Sequence, residues 1–84
     1  MRILIADDFE LMREGIRALL TRQGWDVCGT AVTGREAVEK VEAQRPDVAV
    51  LDITMPLLDG VEAARQIRPK WLLRKRSGVL GAAW

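Results

Sequence analysis

Short apolar runs alternate along the chain with segments in which apolar residues recur every three to five positions. The apolar runs have the length of strands and occupy residues 3–6, 25–31 and 48–51. Between them, residues 10–23 and 33–45 each carry one apolar face, which predicts two amphipathic helices. Strands that alternate with helices in this way are typical of a parallel α/β sheet with right-handed crossovers.

The ends of the two helices carry recognisable signals. Gly24 follows the first helical pattern at the position where glycine favours termination. Thr33 and Glu36 have the spacing of a capping box, which predicts the start of the second helix, and Pro46 ends it.

A third helix is predicted after residue 59, and the remaining chain is predicted to lack a further β-α unit. Asp59 and Glu62 form another capping pair, and apolar residues at positions 61, 64 and 67 continue the stripe until Pro69. Residues 70–84 combine an apolar pair, three consecutive bases and a glycine-containing apolar end. This pattern favours a short helix or an irregular arm.

Composition and charge narrow the class of protein. The chain has 84 residues, enough for one small domain, with 49% hydrophobic and 30% charged residues. It lacks histidine and has one cysteine, Cys28, which excludes histidine-based metal sites and internal disulfides. Neither a membrane span nor a signal peptide is expected, so a cytoplasmic location is predicted.

The charges are distributed unevenly along the chain. Residues 1–62 hold all 12 acids and 7 bases, whereas residues 63–84 hold 6 bases and no acid. A basic block of this kind can bind nucleic acid, but six charges with few aromatic residues between them favour a solvated tail instead. Nucleic acid is therefore not expected as a partner.

Three acids follow two of the predicted strands. Asp7 and Asp8 come after the first strand, and Asp52 comes after the third. In strand order 2-1-3 those strands are neighbours, so the carboxylates would converge at one edge of the sheet. Mg²⁺ would relieve their repulsion, and a carboxylate beside it could accept a phosphoryl group. The competing interpretation is that Asp7 or Asp8 simply caps the first helix.

Residues 2–68 resemble the first half of a bacterial response-regulator receiver domain. The resemblance rests on the acidic pair after the first strand and on the signature Asp-x-x-Met-Pro-x-x-Asp-Gly from Asp52 to Gly60. It implies a truncated flavodoxin-like α/β fold with a three-stranded parallel sheet in order 2-1-3 and flanking helices. It also implies that Asp52 accepts phosphoryl from a partner histidine kinase, and that the domain is not itself an enzyme. The implied Mg²⁺ site has Asp8, Asp52 and the main-chain carbonyl of Thr54 as direct ligands, with Asp7 acting through water. The implied loop-shaping residues are Met55, Pro56, Asp59 and Gly60.

The resemblance ends after residue 68, which predicts a partial receiver at 1–68 and a non-matching tail at 69–84. A complete receiver has five strands, with a Ser or Thr hydroxyl after the fourth and a Lys after the fifth. This part of the chain offers Lys70, Lys75 and Ser77, but neither their spacing nor the residues around them match those strand ends. The lysine and hydroxyl roles are therefore not assigned to them. The pattern is that of a receiver cut after its third helix.

Such a truncation would expose the third strand as an uncharged edge. We therefore expect a homodimer through that edge and the apolar tail, with Trp71, Leu72 and Leu73 covering exposed core. Two functions follow: a phosphoacceptor module of two-component phosphorelay signalling, or a non-phosphorylatable receiver remnant that acts only as a homodimeric interaction module.

Overall fold

The computed structural model describes residues 1–52, 62 and 65–66, together with the backbone of residues 70–75 and 78–83. Its strands and helices, in chain order, are β1 (Arg2–Ala6), α1 (Glu10–Arg22), β2 (Asp26–Ala31), α2 (Gly34–Gln44), β3 (Val48–Asp52), β4 (Lys70–Lys75) and β5 (Gly78–Ala83). These strands form one sheet in the order β2-β1-β3-β4-β5.

The first three strands have the predicted arrangement. β1 lies between β2 and β3 and pairs with both in parallel. Ala6, the last residue of β1, is in register with Ala31 on one side and with Leu51 on the other. The predicted order 2-1-3 is confirmed, and the carboxyl ends of three strands reach the same edge of the sheet.

The first helix ends where the sequence predicts. α1 is followed by Gln23 and then by Gly24, whose φ of 83° lies in the left-handed region that glycine adopts without steric cost. At its start, α1 has Phe9 as the N-cap residue, and the Phe9 side chain makes no capping hydrogen bond.

The capping residues predicted for the second helix are in place. Thr33 is the N-cap residue of α2, and its Oγ1 accepts the Glu36 N–H at 3.0 Å. The Glu36 carboxylate reaches back to accept the Val32 N–H at 2.7 Å, one residue before the Thr33 N–H of the standard box. Two backbone donors at the start of α2 are thereby satisfied.

The end of α2 has a left-handed residue that is not glycine. Arg45 has a φ of 48°. The Arg2 guanidinium donates to the carbonyl oxygens of Gln44 at 2.6 Å and Arg45 at 3.2 Å, so β1 supplies a cation to the carboxyl end of α2. Pro46 follows and prevents the helix from continuing.

Side chains alternate between the two faces of the sheet, and the described part of the chain buries more residues on one face than on the other. The α2 face contains Leu4, Ala6, Ala31, Ala37, Val41, Ala49 and Leu51. The α1 face contains Ile3, Ile5 and Val50, with Ile16, Leu20, Val27 and Val48 packed against them. The larger α2 cluster includes the residues that immediately precede Asp7 and Asp52.

The tail contains two strands, so the expectation of a short helix or irregular arm for residues 70–84 was wrong. β4 pairs in parallel with β3, and β5 returns antiparallel to β4. The reason is that β3 would otherwise leave a row of unpaired N–H and C=O groups, and pairing them outweighs the weak strand propensity of this basic, glycine-containing segment.

The third strand is consequently not an edge. β3 pairs with β1 on one side and with β4 on the other, from Val48↔Lys70 to Asp52↔Arg74. The expected dimer surface at the edge of β3 is therefore occupied by the chain's own residues. The homodimer stays a prediction that would need another surface.

The third helix falls almost entirely outside the described residues. Glu62, Arg65 and Gln66 are helical, and the guanidinium of Arg65 lies 3.8 Å from the Glu62 carboxylate. Among the residues that the structure describes, no helix is long and apolar enough to cross a membrane.

Candidate functional site

Three carboxylates meet at the carboxyl edge of the sheet. One oxygen from each of Asp7, Asp8 and Asp52 lies within 4.8 Å of the others. Asp7 is 2% exposed and Asp52 is 3% exposed, whereas Asp8 is exposed. The three acids singled out from the sequence are thus brought together, and two of them are buried.

The strands place these acids through their register. The N–H of Asp7 donates to the Ala31 carbonyl at 3.0 Å, which extends the β1–β2 pairing one residue beyond Ala6. Asp52 is the last residue of β3 and is paired with Arg74 of β4. Because both acids belong to paired backbone, their positions are fixed by the sheet.

Asp7 does not act as the N-cap of α1. Its Oδ1 accepts the N–H of Phe9 at 2.9 Å, a local turn that precedes the helix, and Phe9 itself is the N-cap residue. Asp8 is not the N-cap either. The helix-capping interpretation of the acidic pair is therefore wrong.

Arg13 contacts the cluster, and sequence analysis did not single it out. Its Nη1 donates to the main-chain oxygen of Asp7 at 3.0 Å, and the residue is half-buried in α1. The available signal was its position in the first two turns of a helix that starts beside the acidic pair. That position does not show which group Arg13 contacts, so geometry was needed to identify the bond.

The donor set fits a hard divalent cation. Carboxylate oxygens are the ligands that Mg²⁺ prefers, and it is usually held by one or two of them together with water. Three negative charges this close repel one another, and two of them are shielded from bulk solvent. A bound cation would remove that repulsion, and the exposed Asp8 leaves one side of the cluster open to solvent.

The remaining residues implied by the signature lie outside the described part of the chain. This applies to the Thr54 carbonyl as a metal ligand and to Met55, Pro56, Asp59 and Gly60 as loop-shaping residues. Those assignments stay predictions.

Comparison with known proteins identifies the family. The family model described as "Response regulator receiver domain" matches residues 3–77. This match extends past residue 68, where the sequence predicted the end of the receiver part, and the boundary stays a prediction. The chemotaxis protein CheY of Thermotoga maritima is 44% identical over 66 residues, which are 79% of this chain and 55% of that protein.

Solved structures have the same fold. The signal receiver domain of NarL from Mycobacterium tuberculosis aligns with a TM-score of 0.80 and 36% identity, over 86% of this chain and 63% of that one. The receiver domain of the sensor histidine kinase PA1611 from Pseudomonas aeruginosa, with a magnesium ion coordinated in its active-site cleft, aligns with a TM-score of 0.72 and 34% identity. That alignment covers 77% of this chain and 52% of that one.

The chain spans about half the length, or less, of curated relatives that it matches. The matched part nevertheless contains the parallel sheet in order 2-1-3, both helices and the acidic cluster. The chain therefore belongs to the response regulator receiver domain family of two-component signalling.

Proposed function

We propose that this chain is a phosphoacceptor module in which Asp52 receives a phosphoryl group and the acidic cluster holds Mg²⁺. The observation that carries the proposal is the convergence of Asp7, Asp8 and Asp52 within 4.8 Å at the ends of adjacent parallel strands. The PA1611 receiver domain coordinates a magnesium ion in its active-site cleft, which supports a magnesium site at the carboxyl edge of this sheet.

Asp52 is suited to the role of nucleophile. It is buried and pairs with Arg74 of β4, and the preceding residue, Leu51, pairs with both β1 and β4, so the Asp52 carboxylate is presented from a rigid backbone. In the reaction, one Asp52 oxygen forms a bond to phosphorus while the bond from phosphorus to the donor's leaving atom breaks, which is an imidazole nitrogen in a phosphohistidine and an oxygen in acetyl phosphate. The product is an acyl phosphate, and the leaving group departs with the electron pair of the broken bond.

Asp7 and Asp8 then serve as metal ligands and not as acceptors. Mg²⁺, when bound, would neutralise charge on the transferring phosphoryl group. We infer that the Thr54 carbonyl completes the protein ligands, as the family signature implies. The expected donor is a histidine kinase in the cytoplasm, and the domain would act as a signalling module without enzymatic activity of its own.

Phosphorylation is tested with a small phosphodonor such as acetyl phosphate. The chain is incubated with and without MgCl₂, and the intact mass is measured. We expect a Mg²⁺-dependent mass increase of one phosphoryl group that hydroxylamine removes, because acyl phosphates react with it. No adduct at saturating donor and Mg²⁺ would overturn the proposal.

Two variants locate the adduct. Asp52→Asn is expected to abolish it, because an amide cannot form the acyl phosphate. Asp26→Asn is the matched control, because Asp26 is an exposed aspartate at the start of β2 and outside the cluster. An adduct that persists in Asp52→Asn would assign the acceptor to another residue.

A further inference from the structure

The position of Asp8 depends on the peptide unit that joins it to Asp7. Its neighbour Asp7 is fixed twice, through its N–H to the Ala31 carbonyl and through its Oδ1 to the Phe9 N–H. Asp8 is exposed and lies just beyond the end of β1. The orientation of the peptide that joins Asp7 to Asp8 therefore contributes to the position of the Asp8 carboxylate.

Arg13 holds that peptide. Its Nη1 donates at 3.0 Å to the Asp7 carbonyl oxygen, which is part of the peptide, and Asp7 itself is buried. A buried carbonyl requires a hydrogen-bond partner, and a charged donor makes a stronger bond than a neutral one. The backbone of Arg13 is itself fixed, because its N–H donates to the Phe9 carbonyl in the first turn of α1.

We propose that Arg13 is a positioning residue for the metal site: by fixing the Asp7–Asp8 peptide, it keeps the Asp8 carboxylate within reach of Asp7 and Asp52. This inference rests on the proposed function, since it assumes that the cluster binds Mg²⁺. It adds a role for a basic residue of α1 that neither the signature nor the acidic cluster specifies.

Loss of Arg13 has two opposing effects on Mg²⁺ affinity. Removing a positive charge near three carboxylates would strengthen cation binding, whereas releasing the peptide would weaken it by misplacing one ligand. Positioning is the larger effect here, because the observed bond is made to the backbone and the half-buried guanidinium is partly screened by solvent. The direction of the change therefore distinguishes the two roles.

The test is calorimetric titration of MgCl₂ into the full chain and three variants. Arg13→Met keeps the apolar stem and removes both charge and donor, and it is expected to weaken Mg²⁺ binding about tenfold, as loss of an outer-shell partner does. Arg13→Lys keeps the charge and a donor, so it is expected to recover part of the affinity. Arg17→Met is the matched control, because Arg17 is an exposed arginine of the same helix.

A second measurement separates positioning from a general loss of structure. Amide hydrogen exchange without metal is expected to accelerate at Asp8 and Phe9 in Arg13→Met and to remain unchanged in β3. Accelerated exchange throughout the sheet would indicate unfolding and would overturn a local role. Unchanged or tighter Mg²⁺ binding by Arg13→Met, with wild-type binding intact, would overturn the inference alone. Absence of Mg²⁺ binding by the wild-type chain would overturn both the inference and the proposed metal site.

Discussion

Replacing Asp52 by Asn should stabilise the metal-free protein, although it removes the proposed acceptor. The change is nearly isosteric and deletes one of three negative charges that lie within 4.8 Å of one another. At that distance, two unit charges repel by about 0.9 kcal/mol in bulk water and about 3.5 kcal/mol at an effective dielectric constant of 20. The lower figure applies to the exposed Asp8 and the higher one to the buried Asp7.

The sum at 4.8 Å is about 4 kcal/mol before the lost interactions of Asp52 are subtracted. Asp52 has other interaction partners in the fold, and each hydrogen bond to a charged group that the amide makes less well costs about 1.5–3 kcal/mol. We therefore expect Asp52→Asn to raise the free energy of unfolding by about 1–2 kcal/mol in EDTA. Mg²⁺ should then stabilise the wild-type chain, by about 1.4 kcal/mol at ten times its dissociation constant, and leave the variant unaffected.

Urea denaturation followed by circular dichroism measures both effects. Asp26 is an exposed aspartate at the opposite end of the strands. The control variant Asp26→Asn should therefore change neither the stability in EDTA nor the response to Mg²⁺. An Asp52→Asn variant that is less stable than wild type in EDTA would refute the reasoning, because Asp52 would then act mainly as a structural hydrogen-bond acceptor.

Three further substitutions test the local structure, each measured as the free energy of unfolding in urea. Gly29→Ala should destabilise by about 1–3 kcal/mol, since the added Cβ would lie 2.9 Å from Gln44 Oε1 and 3.2 Å from Leu4 Cδ1. Gly15 is an exposed helical position where an added Cβ would meet no atom within 4 Å, so Gly15→Ala should stabilise by about 0.5–1 kcal/mol. Equal effects at Gly15 and Gly29 would contradict the packing argument. Arg45→Gly should stabilise by about 0.5–1 kcal/mol, because glycine adopts the left-handed conformation at φ 48° without strain. A loss of stability would show that the contacts of the Arg45 side chain contribute more than the strain of its left-handed backbone.

The elements that the sequence predicted well are those with local signals. The start of α2 follows from the Thr33 hydroxyl, and the end of α1 follows from the glycine at residue 24. β1 and β3 were predicted from apolar runs that are buried on both faces of the sheet. In these cases the residues that form the element also specify its limits.

The elements that the sequence missed depend on partners far away in the chain. β4 contains a lysine at each end and an arginine between, a composition that does not indicate a strand, yet its backbone pairs with the whole of β3. The contact of Arg13 with the Asp7 carbonyl depends on how α1 packs beside β1. Neither feature has a local signature, so tertiary structure had to reveal both.

The geometry of the acidic cluster is set by the core and not by the acids. A slip of one residue between β1 and β3 would turn the side chains of β3 to the opposite face and separate Asp52 from Asp7. That slip is opposed because Ala49 and Leu51 belong to the α2 face with Leu4 and Ala6, whereas Val50 belongs to the α1 face. The pairing of β1 with β3 thus enforces the approach of three mutually repelling carboxylates. Substitutions in this core that shift the pairing of β1 with β3 should therefore weaken metal binding even where no ligand is changed. Core substitutions that leave this pairing intact should not.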